Sequence, residues 1–242
     1  MIRGNFSLLL LVAIGVLSAE AFAPTASSRL LSFSQSALLA SNNDDDWISL
    51  TDDHAVRKRI LQAGTSTGDS DNIGQFSQVT LDYTGTLGEI DWDTDGVIDC
   101  WLSSQQGMDH LVDAVRDAQL TAAQLLDESY FTEDFVATTL GVSNNKIQIK
   151  KLVMAAKRLQ KAVQDYPPGT VFDSNQAYTL KKGIRAFQLA VPSMKVGEHA
   201  LLECRADYAY GKEGLRRANG DVMVPEYATL CFDLKVLSYT TE

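Results

Sequence analysis

The sequence predicts an α+β fold: an antiparallel sheet packed on one short helix, interrupted by an all-α insert. Three observations carry that expectation. Short strand-like runs sit toward both ends of the chain, the middle places its apolar residues at helical spacing, and a single brief helical candidate, residues 184–189, lies among the later strands. A length of 242 residues suits two small domains once a targeting segment is removed.

Charge and cysteines narrow the function. With 31 acidic against 21 basic residues the formal charge is -10, which argues against nucleic acid and against an anionic membrane surface as partners of the mature form. Cys100, Cys204 and Cys231 are widely spaced with no C-x-x-C pattern, so neither a zinc site nor a disulfide framework is signalled. Cys204 and Cys231 lie in strand-like runs, where a cysteine packs as a small apolar residue. His54, His110 and His199 have no ligand-like spacing, and no metal or other cofactor is expected.

Met1 to Arg3 form a short positive start, residues 6–17 an apolar run of signal-peptide length, and Ala19-Glu20-Ala21 a cleavage site; residues 1–21 are expected to be a signal peptide. Residues 22–42 lack acidic side chains up to Ser41 and are serine-rich, a transit-peptide composition. The junction Ala21-Phe22-Ala23-Pro24 resembles the bipartite presequence of algae with secondary, red-type plastids, which implies plastid import. A plain secretory route is the alternative, although no retention tetrapeptide stands at residues 239–242. The mature protein is expected to begin near Asn42.

After a polar leader at 42–46, residues 47–50 and 55–61 are strand candidates separated by turn residues 51–54. Residues 64–74 are loop by composition, and 76–83 alternate so that Ser77, Val79, Leu81 and Tyr83 share one buried face. Asp91-Trp92-Asp93-Thr94-Asp95-Gly96 imitates half of an EF-hand loop, but its twelfth position is Leu102, so an acidic linker is the better reading. Helical spacing then places Leu111, Val112 and Val115 on one face, and Ile149, Leu152, Val153, Ala156 and Leu159 on another. Between these, residues 122–126 and 132–135 are short helical candidates, the second opening with a capping-box-like Thr132. Strands resume at 178–180, 200–206 and 228–237.

Three segments carry chemistry: Leu81-Asp82-Tyr83-Thr84-Gly85-Thr86-Leu87, Gly169-Thr170-Val171-Phe172-Asp173-Ser174-Asn175 and Ala206-Asp207-Tyr208-Ala209-Tyr210-Gly211. Together they resemble the binding-pocket segments of the FKBP-type peptidyl-prolyl isomerases. Residues 55–64 resemble the family's lead-in strand, Met194-Lys195-Val196-Gly197-Glu198 the turn after its helix, and 225–234 its closing strand. In that family the first two segments are almost adjacent, whereas here about eighty residues separate Leu87 from Gly169. The resemblance therefore implies a discontinuous FKBP-like domain, residues 47–90 and 167–240, with an insert at 92–166.

By position, the resemblance implies a pocket of Tyr83, Phe172, Asp173, Ile184, Phe187, Tyr210, Val224 and Phe232. Phe187 would be the floor and Tyr83, Phe172 and Phe232 the walls. The backbone N–H of Ile184 and the Tyr210 phenol would donate to substrate carbonyls, and Asp173 would orient Tyr83 or polarise the site. Such a pocket suits rotation about an X-Pro bond, whose barrier of roughly 18–20 kcal/mol reflects amide resonance lost at the twisted geometry. A dry site disfavours the charge-separated planar amide and so lowers that barrier without covalent chemistry. The sequence departs from the family in placing Phe187 where tryptophan is usual. It also has a shorter loop from Ser174 to Ile184, and a longer one over residues 211–224 that carries Arg216 and Arg217.

The insert's Trp101-Leu102 start, its Leu140-Gly141-Val142 turn and its long final helix resemble a sterile alpha motif (SAM) domain, which implies five helices. A generic helical bundle decorating a loop is the alternative. Its centre is acidic (Asp127, Glu128, Glu133, Asp134) and its last helix begins basic (Lys146, Lys150, Lys151), a polarity suited to self-association or a protein partner. The expected function is prolyl isomerisation on proline-containing protein substrates. The alternative is a catalytically weak chaperone or scaffold that binds through the insert.

Overall fold

The computed structural model describes residues 46–65, 73–74 and 78–240, and the targeting segments expected at 1–42 lie outside them. Eight strands occur among the described residues. Six form one antiparallel sheet in the order β1-β2-β5-β8-β3-β4: β1 (Ile48–Ser49), β2 (Val56–Gln62), β3 (Gln78–Leu87), β4 (Val171–Leu180), β5 (His199–Cys204) and β8 (Leu230–Thr240). The other two, β6 (Leu215–Arg216) and β7 (Val222–Val224), make a ribbon in the loop between β5 and β8.

The alternation expected up to Tyr83 continues to Leu87, because Val79, Leu81, Tyr83 and Leu87 all face the core while Thr80, Asp82, Thr84 and Thr86 do not. Against that face packs α6 (Arg185–Ala190), through Ala186, Phe187 and Ala190, followed by Val191 and Met194. Lys58 and Glu198 pair at 2.9 Å beneath the sheet, with the ammonium also donating to Ser193.

Residues 174–180, expected as loop except for its last three positions, are strand. They show no period-two apolar signal because β4 is an edge strand, largely exposed, whose side chains Asp173, Ser174 and Asn175 hydrogen-bond instead to β3. A register shift near Tyr83 and a left-handed Ala177 (φ 48°) break the pattern further. Cys204 pairs with Leu230, and Glu203 with Cys231, so the two cysteines point to opposite faces and are free thiols.

Between β3 and β4 the chain leaves the sheet and forms five helical segments. The first begins as α1 (Thr94–Gly96) and continues through a π-helical turn, Val97–Trp101, and a 3-10 turn, Leu102–Ser104. The others are α2 (Val112–Asp117, after a 3-10 turn at Asp109–Leu111), α3 (Ala122–Leu126), α4 (Glu133–Thr138) and α5 (Lys146–Asp165). Asp93 caps α1, its side chain accepting from the Gly96 N–H at 2.8 Å, and among the described residues no acidic cluster suits a cation. Thr132 is a simple cap for α4, whereas the reciprocal capping box stands at Thr121 and Gln124, because a box needs Gln or Glu at the third helical position and Phe135 follows Thr132 there.

These helices close around Trp101, Leu102, Val115, Leu120, Leu125, Val136, Leu152 and Leu159, a second core apart from the sheet's. The chain returns where it left: Leu87 donates to the Thr170 carbonyl at 2.9 Å and Gly169 donates to that of Leu87 at 2.7 Å. With entry and exit so close, the β3–β4 ladder forms as though the module were absent. No helix among the described residues is long and apolar enough to cross a membrane.

Candidate active site

The ladder brings the first two chemistry-bearing segments together. Tyr83 lies opposite Asn175, and Gly85 opposite Asp173 on one side and Phe232 on the other. Gly85 is required by close approach: a Cβ there would stand 2.5 Å from the Phe172 ring, which lies across the strand. Phe172 meets Phe232 edge-on with centroids 5.7 Å apart, Phe232 meets Phe187 at 4.7 Å, and Tyr83 lies 6.3 Å from Phe187 and 6.4 Å from Phe232. Four rings from β3, β4, α6 and β8 thus share one apolar cluster, joined by Val224 from β7.

One edge of this cluster is polar. The Tyr83 hydroxyl donates to Asp173 Oδ2 at 2.5 Å and accepts from Asn175 Nδ2 at 2.8 Å. Asn175 Nδ2 also donates to Asp173 Oδ1 at 3.2 Å, and the Ser174 N–H does so at 3.0 Å. Burial, and then the bond to Asp173, raise the Tyr83 phenol above its ordinary value, so it remains a neutral donor. The Tyr210 phenol is raised too, by burial and by the charge of Asp173. No described residue bonds to its hydroxyl.

Ile184 is the N-cap residue of α6 and is half-buried beside the cluster. Its carbonyl accepts from Phe187 and Gln188, while its N–H has no acceptor among the described residues. Seven of the eight residues singled out in the sequence lie in the sheet's core or pack on it, and the eighth, Asp173, bonds to Tyr83 at its edge. Sequence reasoning assigned no role to Asn175, which completes the polar edge, or to Tyr178, whose ring meets Tyr83 edge-on at 5.5 Å. Asn175 was visible as a polar residue two places after Asp173, but its target depends on strand register. Arg216, in β6, and Arg217 are exposed, and the chain enters the ribbon at Gly214 (φ 62°), where a Cβ would clash with the Val224 carbonyl oxygen.

The arrangement gathers four aromatic rings in the core that also packs Ile184 and Tyr210, whose N–H and O–H have no acceptor among the described residues.

A family model described as FKBP-type peptidyl-prolyl cis-trans isomerase matches residues 146–237, which run from α5 into β8 and leave out Tyr83 on β3. Among curated proteins, FK506-binding protein 59 of Drosophila melanogaster is 39% identical over 82 residues, 31% of this chain and 18% of that protein. Peptidyl-prolyl cis-trans isomerase Fkbp12 of the same organism is 36% identical over 77 residues, 28% of this chain and 67% of that protein. Among solved structures, the three FKBP domains of wheat FKBP73 align over 81% of this chain and 48% of that one, at 18% identity and a TM-score of 0.42. The matched segment spans less than a fifth of the first curated relatives, 18% and 17% of their length.

Proposed function

The chain belongs to the FKBP-type peptidyl-prolyl cis-trans isomerase family, and from that premise we propose that it accelerates cis-trans isomerisation of X-Pro bonds in protein substrates and so assists their folding. The observation that carries this reading is the packing of Tyr83, Phe172, Phe187 and Phe232 into one aromatic cluster, with Asp173 bonded to the Tyr83 hydroxyl at its edge. The substrate proline would sit on Phe187 between the other rings. Its imide would lose hydration there, which favours the twisted, less charge-separated form. The Ile184 N–H and the Tyr210 hydroxyl would bind flanking carbonyls, and Asp173 would hold Tyr83 in place. Each 1.4 kcal/mol of preference for the twisted form is worth about tenfold in rate.

The test is a proline-limited refolding assay with the chain lacking residues 1–42. Acceleration that falls on Asp173→Ala and on Tyr210→Phe is expected. No acceleration, or acceleration untouched by either substitution, would sink the catalytic reading.

A second reading, a weakly catalytic chaperone or scaffold, draws on a specific observation: Phe187 supplies no N–H at the floor, and the Tyr83, Asp173 and Asn175 groups already satisfy one another. We further propose that the helical module is SAM-like and recruits a partner or a second copy. Support comes from Trp101 at the module's core, the left-handed Gly141 (φ 71°) between Leu140 and Val142, and the long α5 that follows. Docking would pair the acidic corner at Asp127, Glu128, Glu133 and Asp134 with Lys146, Lys150 and Lys151. Sedimentation that shows only monomer at high concentration, unchanged by Lys150→Glu, would count against self-association. The Ala21-Phe22-Ala23-Pro24 junction supports import into a plastid, which a reporter fused to residues 1–42 would test.

A further inference from the structure

The segment between β5 and β8 supplies Tyr210 and Val224 to the aromatic cluster, yet both of its ends are fastened to the helical module. At the first end Ala206 is buried in the module's core, Cys100 of the π-helical turn donates to Asp207 Oδ1 at 3.1 Å, and Arg205 reaches Asp99 at 3.5 Å. That turn also touches both 3-10 turns of the segment, Ala206–Tyr208 and Gly211–Glu213.

At the second end stands Tyr227, a turn residue between β7 and β8. The residue is 7% exposed and lies in the core of the module. Its hydroxyl is 2.7 Å from Ser104 Oγ and accepts from Gln105 Nε2 at 3.1 Å. The Ser104 hydroxyl donates to the Trp101 carbonyl at 2.6 Å, so the proton between Tyr227 and Ser104 belongs to Tyr227. The backbone of Tyr227 is left-handed (φ 60°), an outlier for a bulky side chain, and its N–H donates to the Gly211 carbonyl at 2.9 Å. Such a conformation persists only where its surroundings over-determine it, and here the module's core supplies that constraint.

We infer that Tyr227 is a positioning residue through which the helical module sets the place of the 206–228 segment, and with it Tyr210 and Val224, over the aromatic cluster. The side chain anchors the segment in the module while the backbone ties Gly211, the neighbour of Tyr210, to the start of β8. Anything that shifts the Trp101–Gln105 turn, a partner bound to the module included, would then move the Tyr210 hydroxyl. As a statement about catalysis the inference rests on the isomerase reading above.

The experiment compares the chain with its Tyr227→Ala, Tyr227→Phe and Leu125→Ala variants at a temperature where all are folded. It reads kcat and KM on a proline peptide, and amide hydrogen exchange across residues 209–224. Tyr227→Ala is expected to raise KM about fivefold with little change in kcat, and to speed exchange about tenfold. Tyr227→Phe, which keeps the ring and loses only the bonds to Ser104 and Gln105, is expected to show a smaller change in the same direction. Leu125→Ala loosens the module's core elsewhere than at Tyr227 and is expected to change both readouts less than Tyr227→Ala does. Unchanged exchange in Tyr227→Ala, or an equal change in Leu125→Ala, would overturn the inference. If Tyr227→Ala does not fold, exchange in Tyr227→Phe decides in the same way. A wild-type chain with no isomerase activity would defeat the catalytic reading alone, since the exchange result still decides the coupling.

Discussion

Tyr83 donates a 2.5 Å hydrogen bond to Asp173 across 90 positions of sequence and an entire helical module. The bond exists because β3 and β4 are neighbours in the sheet and the module returns to its starting point at Leu87 and Gly169. A charge-assisted bond of this kind is worth roughly 1.5–3 kcal/mol. Tyr83→Phe and Asp173→Ala are therefore expected to be non-additive, with a coupling on the order of 1–2 kcal/mol in a double-mutant cycle. Urea denaturation of the two single variants and the double variant measures it; strict additivity would show the bond to be energetically idle.

Gly85 leaves room for the Phe172 ring, and Gly85→Ala places a methyl group 2.5 Å from it. The ring must shift, at a cost of about 1–3 kcal/mol for overpacking. Because Phe172 touches Phe232, the loss of isomerase activity is expected to exceed what the unfolded fraction explains. Activity measured well below the melting temperature separates the two effects.

Lys58 and Glu198 form an ion pair whose side chains are 4% and 3% exposed. The carboxylate also accepts from the Lys195 N–H at 3.1 Å. Removing one partner leaves the other buried and uncompensated, so Lys58→Ala is expected to cost about 3–5 kcal/mol. Replacing both, as Lys58→Met with Glu198→Leu, is expected to recover much of that loss. Denaturant midpoints of the two variants give the comparison.

The Cys231 thiol is pushed up to about 12 from 9.0 by burial and by the charge of Glu203, whose Oε2 lies 3.9 Å away. Its folded value lies above its unfolded one, so the native state keeps a proton that the unfolded chain loses first. Its contribution to stability is complete below pH 9 and declines as the pH rises from 9 toward 12. Cys231→Ala is expected to flatten the fall in denaturant midpoint across this alkaline window relative to wild type. An identical slope in the two proteins would count against it.

Much of the architecture was legible from local period. The alternation that buries Val79, Leu81 and Tyr83, and the helical spacing of Ile149, Leu152, Val153, Ala156 and Leu159, each report which face of an element is apolar. That information is local because side-chain direction follows from the backbone repeat alone. β4 was only partly legible: it is held by its ladder and by polar side chains on an exposed edge, which leave no apolar pattern.

By itself, then, the sequence determined the periods of its elements, the separation of sheet residues from helical ones, and the residue types available to an apolar pocket. Only the tertiary structure decided which of them meet. Register set Tyr83 beside Asp173 and Asn175, and Gly85 beneath Phe172. Burial in the second core, and not in the sheet's, took Tyr227, a turn residue shortly before β8, into the helical module. Contacts of this kind join residues whose separation along the chain carries no periodic signal, and they form only when distant elements have docked and excluded water between them.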